Sequence, residues 1–159
     1  MDADTSTLLR RLLAERPVAA LATLHREEPA VSMAPFVLPA GDTRLYIHVS
    51  GLATHTRDML EHPRVSLLVM AEAGGEWPAQ ALPRVSLQAD ALPLEREGDA
   101  YAAARAQYLA RFPDTAPIFE LGDFRLFALQ PVSARLIAGF GRAFSLVGAE
   151  LDAWLRAGA

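Results

Sequence analysis

Between Pro17 and Val49 the sequence reads as three strands in succession, joined by links too short to hold a helix, and this constrains the fold more than any other feature. Pro17 to His25 (PVAALATLH) has the apolar character of a buried strand, and Arg26-Glu27-Glu28-Pro29 is polar and turn-like. Ala30 to Leu38 is a second strand, interrupted by Pro35, so that part lies at an edge or a bend. After the turn Pro39-Ala40-Gly41-Asp42, Arg44 to Val49 alternates Leu45, Ile47 and Val49 against Tyr46 and His48. Strands spaced like hairpins predict an antiparallel sheet, and the missing helices argue against a doubly wound α/β fold.

The rest of the chain adds helices around more strands. Ser6 is the expected N-cap of a first helix whose Leu8, Leu9, Leu12 and Leu13 share a face, ended by Pro17. Ser50-Gly51 breaks the third strand, and a helix runs from Ala53 to Glu61, before Pro63. Strands follow at Arg64 to Met70 and Leu82 to Leu92, separated by a Gly-containing loop from Glu72 to Pro78. Glu95 to Phe112 is a helix with Tyr101, Ala104, Tyr108 and Phe112 on one apolar face, closed by Pro113. A last strand covers Asp123 to Ile137, Gly139-Phe140-Gly141-Arg142 follows, and a short helix covers Ala149 to Arg156. With no internal repeat or linker, residues 1–159 read as one domain. Its expected class is mainly β with flanking helices, an antiparallel small barrel.

Composition removes several functions. A formal net charge of -4 argues against a general nucleic-acid binder, though not against a local basic pocket. There is no cysteine, so thiolate chemistry and disulfides are excluded. All 15 residues of the Lys+Arg class are arginine, so no lysine Schiff base can form. The start Met1-Asp2-Ala3-Asp4 is acidic where a signal peptide is basic, and the longest uncharged runs, such as Pro17 to Leu24, are too short to span a bilayer. The expectation is a cytoplasmic protein without a membrane partner.

Chemistry concentrates between Tyr46 and Met70. A strand runs into Ser50-Gly51 and a helix opens with Thr54-His55-Thr56-Arg57, placing hydroxyls, an imidazole and a guanidinium where free backbone N–H groups already favour an anion. These residues describe either a phosphate site or an ordinary Ser/Thr-capped surface helix. Gly139-Phe140-Gly141-Arg142 is either an anion cradle or a turn, and Trp77 is a loop anchor unless a ligand claims it. His55 and His62, seven apart, lack a third ligand, so no metal site is expected. No catalytic triad, paired carboxylates or P-loop is present, and no catalytic residue is assigned.

The run Ser50 to Leu68 (SGLATHTRDMLEHPRVSLL) resembles the pyridoxamine 5′-phosphate oxidase-like FMN-binding split barrels, and within them the haem-utilisation subgroup. Leu82 to Asp90, Tyr108-Leu109, Phe112-Pro113, Asp123 to Phe127 and Gly139 to Ala143 agree, so the resemblance extends from Leu8 to Val147. It implies an antiparallel split β-barrel and a homodimer with FMN at the subunit interface. The phosphate would lie against Ser50, His55, Thr56 and Arg57. The flavin ring would lie along Ser32, Met33 and Ala34, beside His48 and Val49, with Trp77 and Arg84 contributed by the partner subunit. The implied function is a flavin-dependent oxidoreductase acting on an unnamed small molecule, with haem binding or a non-catalytic flavin dimer as alternatives. Two departures stand out. Ala53-Thr54-His55 replaces the Ser-Arg-Lys phosphate clamp of pyridoxamine phosphate oxidases, whose C-terminal Arg-x-His is also absent. The haem-binding relatives use a C-terminal histidine, yet here the histidines are His25, His48, His55 and His62, and none follows.

Overall fold

The computed structural model describes residues 1–158. The elements are α1 (Ala3–Glu15), β1 (Val18–His25), β2 (Glu28–Pro35), β3 (Leu45–Ser50), α2 (Thr54–Glu61), β4 (Arg64–Met70), β5 (Arg84–Pro93), α3 (Asp99–Arg111), α4 (Ala116–Phe119), β6 (Phe124–Ile137), β7 (Ala143–Val147) and α5 (Gly148–Arg156). All strand pairs are antiparallel, in the order β2-β1-β4-β5-β6-β3, with β7 also on β6. The expected mainly β, antiparallel split-barrel class is therefore correct. No helix among the described residues is long and apolar enough to cross a membrane.

Register follows from turn chemistry. β1 and β2 join through Arg26 and Glu27, both at positive φ (51° and 67°), the conformation that a two-residue hairpin turn demands and that glycine or asparagine usually supplies. In β5 the register shifts between Gln88 and Ala89, opposite the stretch of β6 that holds Pro131, whose missing N–H suits a bulge. That long strand then serves two neighbours along one edge: Phe124 to Leu129 pairs with β3, and Ser133 to Ile137 with β7.

β3 is buried on both sides. Leu45, Ile47 and Val49 join the main core, while Tyr46 packs in a second cluster with Tyr101, Ala104, Tyr108 and Phe119 under α3. The apolar stripe read on that helix is thus core, although the helix begins at Asp99 rather than Glu95. Arg111 at its end donates to the carbonyl oxygens of Ala14 and Arg16, satisfying the end of α1.

Three sequence expectations need correction. The N-cap of α1 is Asp2, whose carboxylate accepts from Thr5 N at 2.8 Å; Ser6 lies inside the helix and accepts from Arg10 and Trp154. Gly139 to Arg142 is a turn, one of its two expected readings, but it leads into β7, a strand not foreseen, and Arg142 reaches back to Asp2 at 2.7 Å. The one-turn α4 was also not foreseen.

Candidate functional site

The sheet almost closes on itself. β2 and β3 are its two ends, and just beyond β2 the residue Val37 bridges to Tyr46 through two backbone bonds of 3.0 and 2.8 Å. Between Ser32 to Ala34 on one side and His48 to Ser50 on the other no strand pairing forms, and a cavity of about 310 Å³ opens in this seam. Met33, Ala34, His48, Val49, Ser50 and His55 line it, so six of the expected site residues meet there. Tyr108, Ile118 and Phe124 add an apolar wall that sequence reading did not assign. Tyr108 was legible only as core, and Ile118 sits on the unforeseen α4.

His55 projects from the first turn of α2, with its Nδ1 3.0 Å from Ser32 Oγ. The Ser32 hydroxyl also lies 3.4 Å from the Leu21 carbonyl oxygen, and the His55 tautomer sets which of His55 and Ser32 donates to the other. Burial pushes His55 below its ordinary range, while Asp58 pulls it back up. His48 is 6% exposed and stacks on Phe119 with centroids 3.7 Å apart. Its Nε2 is buried without a partner among the described residues; burial, then Arg96 and Arg105, lower its pKa to about 4, so it is neutral near pH 7.

The expected phosphate grip is not assembled in the protomer. Thr56 is fully buried, and its hydroxyl donates to the Ser50 carbonyl at 2.6 Å, locking the turn from β3 into α2. The Ser50 hydroxyl donates to Asp123 Oδ2 at 3.0 Å, which sets a carboxylate where a phosphate was expected. Arg57 is exposed, makes no side-chain hydrogen bond or ion pair among the described residues, and does not line the cavity. Trp77 and Arg84 lie toward the far end of β6: Trp77 is 3.5 Å from where a Cβ on Gly139 would sit, and Arg84 opposes Ile137 and donates to the Leu82 carbonyl. Neither lines the cavity of its own chain.

A polar cluster with no counterpart in the sequence reading runs between α2 and the β1–β2 hairpin. Asp58, 3% exposed, accepts from the Thr23 hydroxyl at 2.8 Å and pairs with His25 Nδ1 at 2.8 Å. Burial opposes its charge, but these hydrogen bonds win and hold the carboxyl below its ordinary range. Nothing local in the sequence links His25 to Asp58, 33 residues apart.

Known proteins match this architecture. The pyridoxamine 5′-phosphate oxidase family matches residues 6–138. The haem oxygenase HutZ of Vibrio cholerae is 31% identical over 139 residues, covering 86% of this chain and 78% of HutZ. The non-canonical haem oxygenase HOZ of Arabidopsis chloroplasts is 34% identical over 116 residues; that match covers 73% of this chain but 34% of HOZ. A haem-binding protein from Mycobacterium smegmatis superposes with a TM-score of 0.82 at 30% identity, over 96% of this chain and 62% of that one. On the matched residues and the shared split-barrel sheet, the chain belongs to the pyridoxamine 5′-phosphate oxidase family.

Proposed function

We propose that this chain binds haem in the seam between β2 and β3 and serves in haem use or breakdown. One geometric fact favours haem over the flavin mononucleotide expected from sequence. Thr56 and Ser50 spend their hydroxyls on protein partners and Arg57 does not line the cavity, so a phosphate finds little grip. The seam itself offers Met33, Val49, Ile118 and Phe124 as apolar contacts for a flat macrocycle, with His55 as a polar contact. The similarity to proteins named haem oxygenases supplies the class of ligand. Bound there, haem would supply the iron chemistry, and Met33, Val49, Ile118, Phe124 and His55 would hold it and exclude bulk water.

A cavity of about 310 Å³ is at the small end for a ligand site, and a second copy would enlarge it. The outer face of the sheet supports this. Val31 and Met33 are 75% and 57% exposed, and Ala20, Ala22 and Leu68 continue the same uncovered face. We read the protein as a homodimer through that face.

Haem titration followed by the Soret band tests the reading, with FMN fluorescence quenching in parallel. Saturable haem binding with a Kd below about 10 μM, reduced at least about tenfold by Phe124→Asp, is expected. Saturable FMN binding in that range without haem binding would reverse it.

A further inference from the structure

His48 is the one histidine that the fold buries and then leaves without a polar task. It stands on β3 in the wall of the seam cavity. Phe119 lies flat against its ring, 3.7 Å away and 4° from parallel, and Phe124 follows at 5.2 Å. These neighbours fix the ring but offer its nitrogens no hydrogen bond. Nε2 has no partner among the described residues. A buried polar atom left in this way works against folding, and a phenylalanine would fill the same aromatic stack without that penalty. The orphaned nitrogen therefore points to a partner that comes from outside the chain.

We infer that His48 Nε2 is the protein's axial ligand to the metal of a haem held in the seam. The inference rests on the haem reading above and deepens it by naming the contact to iron. α4, which brings Ile118 to the cavity and Phe119 onto the ring, is a single turn, and its displacement by the entering macrocycle frees Nε2 for the metal.

The other donors on the cavity wall are less suited. His55 shares one ring nitrogen with Ser32 at 3.0 Å. Burial pushes Tyr108 up to about 12, which disfavours the phenolate that iron takes. Met33 is largely exposed on the outer face of the sheet, and a thioether is a weak acceptor. His25 and His62 do not line the cavity. His48 also keeps the neutral form that a metal requires.

The test compares haem with metal-free protoporphyrin IX, which has the same ring and carboxylates but no iron. Full-length wild type should bind haem at least about tenfold more tightly than the metal-free ring. His48→Phe, which keeps the stack on Phe119, should bind the two alike, and the Soret band and electron paramagnetic resonance signal of its ferric haem should differ from wild type. In His48→Ala, added imidazole should restore the wild-type spectrum, which decides the matter if His48→Phe does not fold. Haem bound with the same spectrum and the same preference in wild type and His48→Phe overturns the inference and leaves the haem reading standing. Loss of the preference in His55→Ala but not in the His48 variants overturns it as well. Wild type that binds neither macrocycle removes both.

Discussion

Gly51→Ala probes the turn on which the candidate site depends. Gly51 joins β3 to α2, and a Cβ added there would lie 2.5 Å from the Asp123 carbonyl oxygen and 3.6 Å from its carbon. The same oxygen accepts the Gly51 N–H at 2.5 Å. Both obstacles are backbone, so no side chain can swing aside and the turn must move away from the start of β6. Overpacking of this kind costs about 1–3 kcal/mol, and a weakened backbone hydrogen bond adds about 1 kcal/mol. For a chain of 159 residues a loss of about 2–4 kcal/mol lowers Tm by about 5–12 °C. The assay is urea and thermal unfolding beside Gly122→Ala, where the new methyl meets nothing within 4 Å. That control should be neutral or stabilised by about 0.4–1 kcal/mol through a stiffer unfolded chain. If Gly51→Ala unfolds like wild type, or no earlier than the control, the close approach of the two backbones is not a constraint and the argument fails.

Stability should also depend on pH through His48. Above its ordinary value of 6.5 both folded and unfolded chains hold it neutral; below that, the unfolded chain takes a proton that the folded one refuses until about 4. Stability therefore drains as pH falls through that window, by up to about 1.4 kcal/mol per pH unit, and His48→Phe should flatten the slope in urea titrations. Equal slopes in the two proteins would show that His48 titrates normally. Arg111→Met removes two hydrogen bonds to the last carbonyls of α1 and should cost about 1–2 kcal/mol in chemical unfolding, with the fraying seen as faster amide exchange near Ala14.

The succession of elements up to α3, with β6 after it, and the antiparallel class were legible because short polar links separate the apolar runs. Pro17, Pro63 and Pro113 marked element ends through their fixed geometry. α4 and β7 escaped because each is short: Ala116–Phe119 is a single turn, and Ala143–Val147 alternates only weakly behind a Gly-rich turn. The site divided along the same line. Residues on β3 and the first turn of α2 were found because they lie in one continuous run, and those on β2 because the family resemblance implied them. Which way each hydroxyl points was not in the sequence: Thr56 looked like a ligand to an anion, yet its rotation on α2 turns it inward to the Ser50 carbonyl. The His25–Asp58 pair needed the hairpin register and the helix placement together.

The bridge between Val37 and Tyr46 makes the neighbouring opening a slot with one fixed end. Its lips are two strands that do not pair with each other there, so a thin guest entering edge-on would break no existing ladder. A globular molecule of equal volume would have to prise the lips apart and tear that bridge. On the proposed reading, thickness rather than volume would decide which guest enters.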